Sequence, residues 1–309
     1  MRMIDFNLQE EVRDGFRVSA QMKKVWQVET DLLAVFTEVC RKEKLRFWVD
    51  GGSLLGTVRH HGFIPWDDDV DVCMPRADYD RLVANGDRLF SHPYFLQTAY
   101  SDKDYFHGHA QLRNSLTAAI RPSDAFQPFN QGIFIDIFVL DEAPDDEAER
   151  KDLARCCRKT QRFLKAKNTH IIASGRLGLV FRKMKCRREV RRRGWQTIYR
   201  EMEDRLREVD PGKCGCWAEL AFSGDDIMFP KHIFDRTLWM PFENISVPVP
   251  AEYDLFLRTQ FGDDYMTPRQ DPSYHGQLIF DTEKSYLQIL PQVQREYRAS
   301  ALKRLLKKL

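Results

Sequence analysis

The sequence predicts an α+β fold. Three observations carry this. A helical-period run opens the chain over 19–43, short apolar strands punctuated by turn residues fill 45–139, and a long charged stretch of helical period follows 145. In order, Val25, Val28, Leu32, Val35, Phe36 and Val39 recur at helical spacing, so 19–43 reads as one long helix. Residues 45–49 read as a strand entering the Gly51-Gly52 turn, and 53–59 as a short helix with Ser53 near its start. A strand at 70–74 precedes Pro75 and a helix over 76–90. Further strands are expected at 95–99, 110–113 and 117–121. The run 132–139 is the clearest buried strand, interrupted only by Asp136. Helices are expected over 147–167 and 194–209, β-like pieces at 217–222 and 245–249, a helix over 253–261 stopped by Gly262, and a basic amphipathic helix over 297–309.

Composition sets the class. The chain has 309 residues, with 43% apolar and 30% charged, the profile of an ordinary globular protein. A net charge of +2 says little about partners. Seven cysteines, an odd number at irregular spacing, suggest free thiols in a reducing compartment. Cys214-Gly215-Cys216 lacks the second Cys/His pair that a structural zinc site needs. The first residues lack the apolar core of a signal peptide, and no run approaches the roughly 20 apolar residues of a membrane span. A cytoplasmic protein is expected.

The chemistry concentrates in Gly51-Gly52-Ser53-Leu54-Leu55-Gly56 and the acidic run Asp67-Asp68-Asp69-Val70-Asp71. On a strand, Asp69 and Asp71 point to one face. Adjacent carboxylates repel, and a cation between them relieves the repulsion. Mg²⁺ takes a few carboxylate oxygens together with substrate phosphates, so the pattern reads as a metal site for a phosphorylated substrate. Asp136 in an apolar strand is costly to bury alone and makes sense as a third carboxylate. The turn at Gly52 and Ser53 lets backbone N–H groups and a hydroxyl approach phosphate oxygens. The plainer readings are a solvated acidic loop, with Asp67 and Asp68 as caps, and Asp136 as a buried acid paired with Arg113.

These residues reach a family. The segment 48–72, WVDGGSLLGTVRHHGFIPWDDDVDV, closely resembles the signature of the LicD family, phosphocholine-type transferases of bacterial surface glycans related to the fukutin group. The match continues in MPRADY (74–79), GIFIDIFVLD (132–141) and, more loosely, FGDDYMTP (261–268). The resemblance implies a nucleotidyltransferase fold of the DNA polymerase β type, a mixed sheet flanked by helices with a basic helical insertion. It implies a catalytic core over 1–145, a helical acceptor- or membrane-facing region over 146–245, and a segment over 246–309 that completes the site. It also implies transfer of a phospho-substituent from a CDP-activated donor to a sugar hydroxyl. Phosphocholine from CDP-choline leads, with ribitol phosphate, glycerol phosphate, or a nucleoside monophosphate from an NTP as alternatives. An inactive glycan- or membrane-binding scaffold is the reading from another class.

On this basis Asp69, Asp71 and Asp136 are the expected catalytic ligands of Mg²⁺ or Mn²⁺, and Asp136 also serves to orient or deprotonate the acceptor hydroxyl. Gly52, Ser53 and Arg59 are expected at the donor phosphates. Arg113 is either a further phosphate ligand or the ion-pair partner of an acid, and His275 a phosphate ligand, an acid/base or a loop histidine. Trp48 and Trp66 are candidate choline or nucleotide contacts, because aromatic faces attract quaternary ammonium. The chain departs from the family pattern at Gln111, where a lysine is expected, and around His275; 145–245 shows no match. The basic stretches 176–193 and 297–309 are either solvated helix faces or contacts to an anionic membrane at its inner face, where acceptors are lipid-linked. Nucleic acid is not an expected partner, since no nucleic-acid module accompanies the charge.

Overall fold

The computed structural model describes residues 6–105, 107–168, 177–222, 227–269 and 278–306. A hairpin opens it, β1 (Glu11–Arg13) and β2 (Phe16–Val18). Asp14 and Gly15 form its turn, both at positive φ, as an Asp-Gly two-residue turn requires. Helix α1 (Ala20–Glu43) starts at Ser19, whose Oγ accepts from the Met22 N–H, and ends at Lys44 in the left-handed region. Strand β3 (Trp48–Val49), α2 (Gly51–His60), β4 (Asp71–Pro75), α3 (Arg76–Ala84) and a short α4 (Gly86–Leu89) follow. Then come β5 (Tyr94–Gln97), β6 (Ala110–Asn114), β7 (Ala118–Ile120) and the long β8 (Ile133–Ala143). Three helices succeed one another, α5 (Glu147–Asn168), α6 (Leu177–Arg193) and α7 (Trp195–Arg207). The rest is β9 (Cys216–Ala218), β10 (Phe229–Pro230), β11 (Thr237–Phe242), β12 (Ile245–Pro250), α8 (Tyr253–Phe261), β13 (Ile279–Asp281) and α9 (Tyr286–Leu306).

The central sheet is mixed and β8 is its spine. Strand β4 runs parallel to β8, with Asp71 opposite Asp136 and Pro75 opposite Leu140. On the other edge β8 pairs antiparallel first with β6, Gln111 opposite Asp136, and then with β9. Strands β3, β5 and β10 extend the sheet outward from β4, β6 and β9. Helix α1 packs on β8 and β6 through a buried face that includes Trp26, Leu32, Leu33 and Phe36. A second apolar cluster gathers α5 and α7 around Leu153, Ile198, Met202 and Ala218. Buried Arg76 ties the two together, donating from Nε (2.7 Å) and NH2 (3.0 Å) to Asp141 and from NH1 to Glu203 (3.2 Å).

Several expected elements change. The strand expected at 70–74 begins at Asp71, so Asp69 stands in the loop before it. The helix expected over 76–90 breaks at Asn85. The strand at 118–120 leaves the central sheet to pair with β13. The closing helix starts at Tyr286, well before 297, and docks Val293 beneath β7 and Ala125. All seven cysteines are free thiols. Among the described residues no helix is long and apolar enough to cross a membrane.

Candidate active site

The site is built where β3 hands the chain to α2. Asp50 caps α2 by accepting from the Gly51 N–H at 2.7 Å. Gly51 takes φ +51°, and a Cβ there would stand 3.3 Å from Asp71 Oδ2; a Cβ on Gly52 would stand 2.9 Å from Asp67 Oδ2. The two glycines thus bring backbone against both acids, which a side chain would prevent. Ser53 is buried, and its Oγ accepts from the Asp71 N–H at 2.9 Å. The expected phosphate-binding hydroxyl is therefore engaged in fixing the first residue of β4.

The parallel register sets Asp71 beside Asp136, because neighbours in register share a face. Their environments push them apart. Burial, then the charges of Asp69, Asp136, Asp50 and Asp67, hold the Asp71 carboxyl well above the usual carboxylate range. Burial also raises Asp136, but His109, Gln111 and Arg113 together outweigh it, and Asp136 lies below that range. Its Oδ1 takes His109 Nε2 at 2.8 Å and Gln111 Nε2 at 2.6 Å.

That arrangement follows from the period of two along a strand. His109 and Gln111 reach the same face as Asp136, and Arg113 is next in line. Arg113 is buried and spends its guanidinium on Gln97 Oε1, the Gly132 carbonyl and Gln111 Oε1. Burial lowers its pKa to about 10. Arg113 thus makes its hydrogen bonds within the sheet and none directly to Asp136. It orients Gln111, which orients Asp136. Sequence reasoning missed His109, although a polar residue at every second place of 109–113 was the available signal.

A cleft of about 510 Å³ opens over the glycine turn. Gly52, Arg59, Trp66, Asp67, Asp69 and Asp71 line one wall, and Phe261, Asp264, Tyr265, Thr267 and Arg269 the other. Arg59 spans both, with NH1 donating to the Tyr265 carbonyl at 2.9 Å and Nε to His60 Nε2 at 2.8 Å. His60 in turn faces Asp14 Oδ2 from Nδ1 at 2.7 Å, and burial, then the Arg59 charge, lowers its pKa. Trp66 is on the cleft as expected, but Trp48 is not. It is 1% exposed, packed on Phe234, with Nε1 donating to Thr237 Oγ1. Asp136 is beside Asp71 in the sheet, with its side chain 14% exposed, next to the residues that line the cleft. His275 lies outside the described residues; Thr267 and Arg269 mark that end of the cleft. Among the described residues no three His, Cys, Asp or Glu side chains stand close enough to hold a metal ion by themselves.

Residues 44–145 match the family described as LicD/FKTN/FKRP, nucleotidyltransferase domain, and this span holds the glycine turn and all three aspartates. Over that span the chain is similar to the LicD family. It is 26% identical over 262 residues to the lipopolysaccharide cholinephosphotransferase LicD of Haemophilus influenzae, covering 79% of this chain and 92% of that protein. It is also 61% identical over 28 residues to the ribitol 5-phosphate transferase FKRP of Homo sapiens and of Mus musculus, covering 9% of this chain and 6% of theirs. Similarity to these proteins supports a transferase of phosphate-bearing substituents.

Proposed function

We propose that this chain moves phosphocholine from CDP-choline to a sugar hydroxyl of a cell-surface glycan and releases CMP, using Mg²⁺ or Mn²⁺ on a nucleotidyltransferase-type sheet. The observation that carries this reading is the pairing of Asp71 with Asp136 under a glycine turn at the cleft floor. The donor set suits a hard cation. It is all carboxylate oxygen, and the charges around Asp71 leave it needing positive charge nearby. Since no three such groups converge among the described residues, Asp71 with one neighbouring aspartate, Asp69 or Asp136, would hold the ion, with water and donor phosphate completing a shell that Mg²⁺ seldom takes from protein alone. Once bound, the ion offsets charge on the phosphoryl oxygens and on the departing CMP.

The chain's own groups do the rest. Arg59 reaches the donor phosphates from the cleft wall. Gly52 lets them approach the α2 backbone. Asp136, kept ionised by His109 and Gln111, accepts the acceptor hydroxyl's hydrogen bond as that oxygen attacks the phosphorus bearing choline, and takes its proton as the bond to CMP breaks. Trp66, Phe261 and Tyr265 give the cleft aromatic faces for a quaternary ammonium. The short stretch of high identity to FKRP favours ribitol phosphate as the second reading for the group moved. A peripheral contact to anionic lipid is proposed for α6, where exposed Met184 stands among Lys185, Arg187, Arg188 and Arg191. The deciding experiment incubates the protein with CDP-choline, CDP-ribitol, CDP-glycerol and NTPs, with Mg²⁺ or with EDTA. CMP from CDP-choline that EDTA abolishes is the expected result; pyrophosphate from an NTP, or no turnover, overturns it.

A further inference from the structure

One buried acid has no part in the scheme above. Glu29 lies on the buried face of α1, between Trp26 and Leu33, and is 1% exposed. Its Oε2 has no hydrogen-bond partner among the described residues. Its surroundings are acidic. After burial itself, the groups acting on it most strongly are Asp69, Asp68, Asp71 and Asp136. The same helix face touches the acidic loop directly, since Trp26 Nε1 donates to the Asp67 carbonyl at 3.0 Å. The other buried polar residues of this helix are partnered, Lys23 Nζ with Glu11 Oε1 at 3.1 Å and Thr30 Oγ1 with the Trp26 carbonyl at 2.7 Å, while Val25, Trp26, Leu32, Leu33 and Phe36 are apolar, so Glu29 stands out. A buried carboxyl with an unpartnered oxygen in the field of four aspartates must either keep its proton or meet something positive, or positively polarised, between them.

We infer that Glu29 serves the cation site from beneath as an outer carboxylate, accepting hydrogen bonds from water molecules bound to a divalent ion at Asp71. This deepens the proposed function and rests on its metal reading. Among the described residues no three acids stand close enough for direct ligation. A hydrated ion that keeps several waters has donors to offer a carboxylate one shell further out. Such outer groups orient the inner ligands and commonly govern affinity tenfold or more. Glu29 is therefore a positioning residue, acting through water on the ion.

The test titrates Mn²⁺ into the full chain by calorimetry and by the spin-resonance signal of free Mn²⁺, with thermal melts run in parallel. Glu29→Gln keeps the shape, and Glu29→Leu removes the polarity should the amide disturb folding. Both variants should melt at or above the wild-type temperature without metal, yet bind Mn²⁺ about ten- to a hundredfold more weakly and lose most of the metal-induced rise in Tm. Asp71→Asn is the control for the metal reading. If Asp71→Asn loses Mn²⁺ while both Glu29 variants bind like the wild type, this inference alone is wrong. If the wild type binds no Mn²⁺, the metal reading falls and takes the inference with it. Variants that melt lower without metal and keep wild-type affinity would make Glu29 a structural residue.

Discussion

Gly52→Ala separates the two ways in which a glycine can matter at this turn. A Cβ at Gly52 would lie 2.9 Å from Asp67 Oδ2 and 4.0 Å from Ile64 Cδ1. A comfortable carbon–oxygen contact is roughly 3.3 Å, so Asp67 must retreat by about 0.4 Å. The crowding costs about 1–3 kcal/mol, and alanine returns up to about 1 kcal/mol of helix propensity because Gly52 is an α2 residue at ordinary φ. The net loss is about 0–2 kcal/mol, a fall in Tm of a few degrees for a chain of this size. The effect on CMP release should be far larger, roughly a hundredfold, because the new methyl occupies the cleft floor and moves Asp67 against the acidic run. Gly56→Ala is the contrast. Its Cβ would meet the Gly62 carbonyl oxygen at 2.4 Å, and backbone cannot swing aside as a side chain can. That variant should lose about 3 kcal/mol or more and lose activity only through unfolding. Melting curves and CMP release measured on both decide the matter. A Gly52→Ala protein with wild-type turnover would refute the reasoning that the close approach over Asp67 is where donor phosphate lies.

Other outcomes follow from the same geometry. In chelator-treated protein, the raised Asp71 carboxyl favours folding fully below about pH 4, and that contribution is lost as pH rises toward its folded-state pKa. Asp71→Asn should therefore gain on the wild type in denaturant midpoint between pH 4 and 7 while losing CMP release; parallel pH profiles would contradict the assignment. Arg113→Met leaves Gln97, the Gly132 carbonyl and Gln111 without their donor, and should cost about 3–5 kcal/mol in urea melts. Trp48→Phe should cost about 1–2 kcal/mol through packing and the lost Thr237 bond, with KM for the CDP donor unchanged; a raised KM would return Trp48 to the site. Reversing Arg187, Arg188 and Arg191 to Glu should abolish sedimentation with anionic vesicles and leave turnover of soluble donor intact.

Local pattern determined much of this protein. Period and turn chemistry in the chain alone mark α1, the Gly51-Gly52 turn, the Asp69 and Asp71 pair and the strand carrying Asp136, since each depends on residues close in sequence. The long 48–72 block carries the family for the same reason. Tertiary structure decided what those residues face. Alternation says that Asp136 and Asp71 each have a side, but only the parallel β4–β8 register sets them next to each other. Trp48 and Trp66 are alike as sequence, yet pairing with β4 buries one while the loop leaves the other at the cleft. Arg113 is drawn to Gln97, Gly132 and Gln111, and Ser53 to the Asp71 amide, by neighbours that only the folded sheet supplies. The second cleft wall, from Phe261 to Arg269, and the partnerless carboxyl of Glu29 arise from packing between segments far apart in the chain, which no local periodicity encodes.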